Sequence, residues 1–290
     1  MNGKTTLRLP EWFKVERRSG ENYGRIRGLV SGHGLHTVCQ EALCPNIWEC
    51  WNSGTATFMI LGERCTRDCR FCGVPAAVRP LRPDPAEPEK IAESAAALGL
   101  AWVVITSVTR DDLADYGAGH FSACVKAILD RRPGTSVELL IPDFRGEPRC
   151  LDTVAASGAS VIAHNVETVP SLYGKVRPQA DYSRSLGVLK YLAETANGRY
   201  SVKSSIMVGL GETTEEVQAV LSDLAATGCA SATIGQYLPP SKEHLSVERF
   251  YTPAEFSTLA EYAKKAGIDR VASGPLVRSS YMAHELAGGS

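Results

Sequence analysis

Residues 201–228, SVKSSIMVGLGETTEEVQAVLSDLAATG, combine the two patterns on which the fold depends. Residues 201–209 form an apolar, β-branched run that predicts a buried strand. Thr213 followed by Glu216 is a capping box, in which a hydroxyl and a carboxylate bind free backbone N–H groups at the start of a helix. Apolar residues then recur at helical spacing, which predicts a helix with one face against a sheet: Val217, Val220, Leu221 and Leu224.

The same alternation continues in both directions along the chain. Further strands are predicted at residues 55–61, 102–108, 136–141, 161–167 and 231–238. Helices are predicted near residues 88–99, 118–132, 147–157, 181–197, 214–227 and 253–266. Strands that alternate with helices form parallel sheets, and six such units are two fewer than a complete barrel needs. We therefore predict an α/β fold, a partial (β/α)6 TIM-like barrel, with an edge strand added by residues 270–277.

The chain divides into three parts by this pattern. Residues 1–54 lack the alternation and are predicted to form an N-terminal extension. Residues 55–268 would form the barrel, and residues 269–290 a C-terminal extension. In parallel α/β folds the chemistry gathers at the carboxyl ends of the strands, so the residues just after each strand are the first candidates for a site.

Charge and hydropathy exclude several classes of partner. The 31 basic and 32 acidic residues leave a net charge of -1, which gives no electrostatic reason to expect a nucleic acid or an anionic membrane. No apolar run approaches the roughly 18 residues of a membrane span, and none resembles a signal peptide. We expect a soluble, cytoplasmic protein, in which nine cysteines indicate metal or redox chemistry rather than disulfides.

Six of the nine cysteines fall into two closely spaced triplets. One triplet follows the first predicted strand directly: Cys65, Cys69 and Cys72. The other lies in the N-terminal extension: Cys39, Cys44 and Cys50. The remaining cysteines are isolated near predicted helices and are expected to be small buried apolar residues: Cys124, Cys150 and Cys229.

Three thiolates in a short segment suit iron or zinc. A structural zinc site usually closes with four ligands, whereas a 4Fe-4S cluster held by three cysteines keeps one iron open to another ligand. An open iron at a barrel mouth can bind a small molecule. The alternative is a zinc site that His33 or His36 completes.

The motifs resemble those of known families. C-T-R-D-C-R-F-C at 65–72 resembles the signature of the radical S-adenosylmethionine superfamily. C-Q-E-A-L-C-P-N-I-W-E-C at 39–50, with W-N-S-G-T-A at 51–56, is similar to the auxiliary-cluster segment of lipoyl synthases. The resemblance to lipoyl synthases runs from about residue 8 to residue 284. Six further motifs carry it: T-S-V-T-R-D-D-L at 106–113, H-N-V-E-T-V at 164–169, V-R-P at 176–178, I-M-V-G-L-G-E-T at 206–213, T-I-G-Q-Y-L at 233–238 and G-P-L-V-R-S-S-Y at 274–281.

The resemblance implies a sulfurtransferase with two 4Fe-4S clusters and S-adenosylmethionine as cosubstrate. Such an enzyme inserts two sulfur atoms at carbons six and eight of an octanoyl chain on a lysine of a lipoyl carrier domain, and the auxiliary cluster is the sulfur source. It implies an external electron donor such as ferredoxin or flavodoxin, and no nucleic acid or membrane partner.

The resemblance also assigns roles to individual residues. Ser280 matches the serine whose oxygen completes the auxiliary cluster, and we give it a catalytic role because a hard alkoxide is a less natural partner for such a cluster and is released more readily. Asn165 and Glu167 are expected to bind the ribose and amino acid portions of S-adenosylmethionine. Four further candidates have ordinary caps or surface contacts as the alternative: Thr106, Ser107, Lys203 and Gln236.

Two residues differ from the family pattern, and two alternative functions stay open. Tyr116 and Ser205 stand where the family commonly has glycine, so the resemblance does not predict the local turn geometry at these two positions. One rival is a biotin-synthase-like enzyme that acts on a free small molecule. The other is a cluster-bearing electron carrier without catalysis, which would form no 5′-deoxyadenosine.

Overall fold

The computed structural model describes residues 8–14, 20–41, 44–52, 55–281 and 283–286. Residues 53 and 54 of the W-N-S-G-T-A stretch lie outside these ranges. The strands are β1 (His36–Thr37), β2 (Ala56–Ile60), β3 (Trp102–Ser107), β4 (Ser136–Leu140), β5 (Val161–Ala163), β6 (Ser201–Val208), β7 (Ser231–Gln236) and β8 (Arg270–Gly274). The α-helices are α1 (Glu21–Gly32), α2 (Val38–Glu41), α3 (Ile47–Asn52), α4 (Glu87–Ala97), α5 (Ala118–Arg131), α6 (Pro148–Ala155), α7 (Tyr173–Val176), α8 (Tyr182–Thr195), α9 (Thr214–Ala226), α10 (Pro253–Ala266) and α11 (Ala283–Leu286).

The described strands form one eight-stranded sheet in sequence order from β1 to β8. β2 to β8 are parallel, and β1 pairs antiparallel with β2. Within the described residues the two edge strands do not pair with each other, so the sheet stays open. The prediction of a partial barrel with six strand–helix units and an added edge strand is therefore confirmed.

The two faces of the sheet bury different side chains. Val103 and Ile105 belong to the large apolar cluster that includes the flanking helices. Trp102 and Val104 alternate with them and pack with Val161 and Ala283 in a separate cluster, as the two-residue period of a strand requires. The C-terminal helix α11 thus covers the face opposite to the helix layer.

Local signals account for most element boundaries. The Thr213 side chain accepts a hydrogen bond from the backbone N–H of Glu216 and begins α9 as a capping box, and Thr252 does the same for α10. α10 ends at Gly267, whose φ of 111° is left-handed, a conformation that suits glycine. The strand predicted over residues 161–167 is too long: β5 ends at Ala163, and the chain turns at Glu167, whose φ is 66°.

Aromatic rings pack the described part of the N-terminal extension together, and Phe13 packs on the barrel 5.3 Å from Phe250. Tyr23 on α1 stacks on Trp48 with 4.0 Å between ring centroids and lies 5.1 Å from Trp51. Trp51 is completely buried. This packing holds α3, which carries Cys50, against α1. No helix among the described residues is long and apolar enough to cross a membrane.

Candidate active site

The first cysteine triplet lies at the carboxyl end of β2. Leu61 and Gly62 have φ values of 70° and 95°, and these left-handed residues turn the chain from the strand into a loop. The backbone N–H of Cys65 donates to Pro75 O at 3.0 Å, and the N–H of Ala77 donates to Cys65 O at 2.8 Å. Two backbone bonds therefore fix Cys65 beside the segment that follows the triplet.

The sulfur atoms of this triplet are partly buried and close to one another. Cys65 Sγ accepts hydrogen bonds from the backbone N–H groups of Thr109 at 3.2 Å and Arg67 at 3.4 Å. Burial raises the pKa of Cys69 to about 12 and that of Cys72 to about 11, and in both cases neighbouring thiols add to the rise. Closely spaced thiols disfavour loss of their protons, and a bound metal cluster removes that cost because it neutralises the thiolates.

The second triplet converges at the amino end of β2. Cys39 lies on α2, Cys44 follows it and Cys50 lies on α3, and all three line one cavity together with Arg278 and Ser280. Burial, together with the neighbouring Cys39 and Cys44, raises the pKa of Cys50 to about 12. The three thiols are thus close enough to interact, as ligands of one cluster must be.

Ser280 reaches this cavity from the far end of the chain. Its Oγ accepts a hydrogen bond from Thr57 Oγ1 at 3.1 Å, and Thr57 lies on β2. Asn46 Nδ2 donates to Leu276 O at 2.6 Å, and Tyr281 OH donates to Glu49 Oε2 at 3.2 Å. These contacts attach residues 278–281, the R-S-S-Y segment, to the part of the chain that carries the second triplet.

The two histidines of the zinc alternative have other contacts. His33 Nδ1 lies 2.8 Å from Ser94 Oγ on α4, and His36 Nδ1 lies 3.6 Å from the Glu41 carboxylate. Among the described residues, no three His, Cys, Asp or Glu side chains are grouped so that they could hold one metal ion. Each cysteine of a 4Fe-4S cluster binds a different iron. The two triplets, with soft sulfur donors on separate positions of a loop, therefore fit a cluster better than a single zinc ion.

Asn165 and Glu167 lie beside the first triplet. Asn165 Nδ2 donates to Glu167 Oε1 at 3.0 Å. Glu167 is close enough to raise the pKa of both Cys69 and Cys72, and burial raises the pKa of Glu167 itself. Asn165 Oδ1 is buried and has no hydrogen-bond partner among the described residues. A buried acceptor of this kind can receive a hydrogen bond from a polar ligand.

The other strand-end candidates differ in their hydrogen-bond partners. Ser107 Oγ is buried and, in the part of the chain described, has no partner. Thr106 Oγ1 donates to Leu140 O at 3.0 Å, and Lys203 Nζ donates to Glu138 Oε1 at 2.8 Å. Gln236 accepts from the Tyr251 N–H at 2.9 Å and donates to Arg249 O at 3.0 Å. Their assignment to S-adenosylmethionine stays a prediction, and these bonds favour a structural role for Thr106, Lys203 and Gln236.

Sequence comparison identifies relatives of the whole chain. A family model described as the radical SAM superfamily matches residues 59–224, and one described as the N-terminal domain of lipoyl synthase matches residues 1–44. The lipoyl synthase of Methylococcus capsulatus is 53% identical over 282 residues, which cover 97% of this chain and 87% of the relative. That of Chlorobaculum parvum is 51% identical and covers 94% and 93%. The chain belongs to the lipoyl synthase family.

Solved structures share the fold of this lipoyl synthase family member. The FeFe-hydrogenase maturase HydG from Carboxydothermus hydrogenoformans matches with a TM-score of 0.56 at 11% identity, over 92% of this chain and 77% of that chain. Coproporphyrinogen III oxidase (HemN) from Escherichia coli, described as a radical SAM enzyme, matches with a TM-score of 0.52 at 14% identity, over 73% and 53%. These likenesses support the fold, and the superfamily implies one 4Fe-4S cluster and S-adenosylmethionine.

Sequence reasoning missed three residues at the site of this family member. Thr57 is the hydrogen-bond donor to Ser280. Arg177 Nη1 donates to the backbone oxygens of Asn165 and Val166 at 2.9 and 3.1 Å, and its charge lowers the pKa of Cys69. Arg67 forms a buried network with two aspartates. The position of Arg67 inside the cysteine triplet was an available signal; the contacts of Thr57 and Arg177 depend on the folded chain.

Proposed function

We propose that the protein catalyses the lipoyl synthase reaction, the radical insertion of two sulfur atoms at carbons six and eight of a protein-bound octanoyl-lysine. The observation that carries this proposal is the presence of two three-cysteine sites at the two ends of one strand. β2 has five residues, so its first and last Cα atoms lie roughly 13 Å apart at about 3.3 Å per residue. One site suits the cleavage of S-adenosylmethionine and the other the supply of sulfur.

In this proposal the first site holds the radical cluster. Cys65, Cys69 and Cys72 would hold three irons of a 4Fe-4S cluster and leave one iron open to a ligand. The cluster, when bound, supplies the electron that cleaves the sulfonium. Asn165 and Glu167 offer acceptors for the hydroxyl and ammonium groups of the cosubstrate, and the buried amide oxygen of Asn165 supports this role.

The second site would hold the auxiliary 4Fe-4S cluster, which is consumed as the sulfur substrate. Cys39, Cys44 and Cys50 would bind three irons and Ser280 the fourth. Ser280 must lose its proton to become a ligand, and the hydrogen bond that Thr57 donates to its oxygen stabilises the charged form. We assign the catalytic role of Ser280 to release of this oxygen during turnover, because oxygen is the harder donor.

The remaining assignments follow from the same proposal. The octanoylated lipoyl carrier domain is the protein substrate, and a ferredoxin or flavodoxin is the electron donor. We propose the extension, barrel and C-terminal segment as residues 1–54, 55–268 and 269–290, and a cytoplasmic location. No nucleic acid or membrane takes part.

The test compares three preparations after anaerobic reconstitution. Wild-type protein with dithionite, S-adenosylmethionine and octanoylated carrier domain should form 5′-deoxyadenosine and a lipoylated product. The triple variant Cys39→Ala, Cys44→Ala, Cys50→Ala should still form 5′-deoxyadenosine but insert no sulfur. The triple variant Cys65→Ala, Cys69→Ala, Cys72→Ala should form neither.

Other outcomes distinguish the rival functions. Sulfur insertion into free octanoate but not into the carrier domain would favour a biotin-synthase-like enzyme. Reversible reduction of the clusters with no 5′-deoxyadenosine would favour an electron carrier. Either result contradicts the proposal.

A further inference from the structure

Arg67 lies between the first two cysteines of the radical-cluster triplet and is turned into the protein. Its side chain is 3% exposed. Nε and Nη2 donate to the two oxygens of Asp111 at 2.8 and 2.9 Å. Nη1 and Nη2 donate to the two oxygens of Asp143 at 3.0 and 2.6 Å. One guanidinium thus binds two carboxylates, each through two hydrogen bonds, which is the geometry that makes such pairs strong.

The two aspartates belong to different strand-end loops. Asp111 follows β3, and Asp143 follows β4. Thr66, next to Arg67, strengthens the first connection: its N–H donates to Thr109 O at 2.9 Å, and its Oγ1 accepts from the Asp111 N–H at 3.0 Å. The cysteine loop after β2 is therefore tied to the loops after the next two strands.

Cys65 is part of the same connection. The Thr109 N–H that donates to Cys65 Sγ belongs to the loop that Arg67 and Thr66 hold. The Arg67 N–H donates to the same sulfur. The position of the Cys65 sulfur thus depends on the loop after β3, and Arg67 sets the distance between the two.

Each aspartate also has a second arginine. Arg145 Nη2 donates to Asp111 at 2.8 Å, and Arg184 Nη1 donates to Asp143 at 3.1 Å. Loss of the Arg67 side chain therefore leaves neither carboxylate without a cationic partner. A substitution at Arg67 therefore tests the position of the cysteine loop and does not unfold the protein.

We propose that Arg67 is a positioning residue that holds the cysteine loop against the β3 and β4 loops before the cluster is present, and so fixes the cluster relative to the strand ends that bind S-adenosylmethionine. The inference rests on the proposed function. Outer partners that orient metal ligands typically contribute roughly 10- to 100-fold to affinity or activity, and a residue bound to two loops at once acts in this way.

The experiment uses the full-length protein after anaerobic reconstitution, with the substitutions Arg67→Met and Arg67→Lys. Arg145→Met is the control, because Arg145 donates to the same Asp111 at 2.8 Å from the loop after β4, and its removal leaves the four Arg67 hydrogen bonds in place. The measurements are iron per chain, the thermal midpoint and a titration of the reduced cluster's electron paramagnetic resonance signal with S-adenosylmethionine.

Arg67→Met should fold with a thermal midpoint near that of the control, while its apparent affinity for S-adenosylmethionine falls by roughly 10- to 100-fold. Its iron should fall from about eight towards about four per chain. Arg67→Lys should be similarly impaired, because a single ammonium cannot bind both carboxylates at two points. Arg145→Met should keep the wild-type signal, because Arg67 still binds both aspartates.

Two results would overturn the inference. One is wild-type iron content and wild-type response to S-adenosylmethionine in Arg67→Met or Arg67→Lys. The other is an equal loss in Arg67→Met and Arg145→Met, which means that the charge balance of the aspartates, and not the link to the cysteine loop, is responsible. If wild-type protein itself gives no response to S-adenosylmethionine, the proposed function fails instead, so the two failures are distinct.

Discussion

Gly235 on β7 lets the C-terminal segment approach the sheet closely. A Cβ atom at this position would lie 2.1 Å from Val277 O and 3.1 Å from Val277 C. Both are backbone atoms, so no side-chain rotation relieves the contact. Val277 directly precedes the R-S-S-Y segment that brings Ser280 to the auxiliary site. We therefore expect Gly235→Ala to move Ser280 without touching either cysteine triplet.

The size of the effect follows from the geometry. Val277 O would have to move by about 1 Å, and overpacking of this kind costs about 1–3 kcal/mol of stability. At about 2.1 cal/mol/K of unfolding entropy per residue, each kcal/mol lowers the thermal midpoint of a 290-residue chain by about 1.6 °C. A misplacement of about 1 Å at a reacting group can cost about 100-fold in rate. Sulfur insertion should therefore fall far more than stability does.

The assay measures lipoylated carrier domain and 5′-deoxyadenosine in the same reaction. Gly235→Ala should lower sulfur insertion by about 100-fold and leave 5′-deoxyadenosine formation within a few-fold of wild type. Gly274→Ala is the control, because its Cβ would meet the Val277 Cγ2 methyl group at 3.3 Å, and a side chain can move aside. Wild-type sulfur insertion in Gly235→Ala, or equal losses of both products, would refute the reasoning.

Three further predictions concern other parts of the barrel. Lys203→Met should lower the free energy of unfolding by about 3–5 kcal/mol, because it leaves Glu138 buried and unpaired; urea denaturation measures this, and Glu138→Gln in the same chain should restore most of the loss if the ion pair is the cause. Burial lowers the pKa of His164 from 6.5 to about 4, so the unfolded chain takes up this proton first and stability should fall by about 3 kcal/mol as the pH drops from about 6.5 to about 4. Urea midpoints across this range check the fall, and an equally steep fall in His164→Gln would contradict its origin. Ser280→Cys should keep the auxiliary cluster yet turn over poorly, because thiolate is the softer and better ligand for iron; a normal product yield, measured by mass spectrometry of the carrier domain, would count against a catalytic role for Ser280.

The parallel part of the fold was predictable because its signals are local. Short apolar, β-branched runs predicted the strands, and the capping boxes at Thr213 and Thr252 predicted the starts of two helices. The motif spacing likewise gave the two cysteine triplets. β1 was missed because two residues are too short for a strand pattern. β5 was predicted too long because the β-branched Val166 was counted as part of the strand, whereas β5 ends at Ala163 and a left-handed Glu167 turns the chain.

The rest depends on contacts between distant residues. Lys203 was a candidate ligand in the sequence, but in the folded chain it meets Glu138, which is 65 residues away. Ser280 meets Thr57 across 223 residues. Neither contact leaves a trace in local spacing, because sheet register and the path of the C-terminal segment decide which side chains face each other. The metal-binding role of the cysteines was therefore predictable from the sequence, whereas the residues that support the two sites were not.

The central claim is that one chain cleaves S-adenosylmethionine at one cluster and supplies sulfur from another. The most direct measurement reconstitutes the protein with isotopically heavy sulfide and follows a single turnover on octanoylated carrier domain by mass spectrometry. We expect a lipoyl product in which both sulfur atoms are heavy, at no more than one product per chain. A product with light sulfur only, or 5′-deoxyadenosine without any sulfur-bearing product, would contradict it.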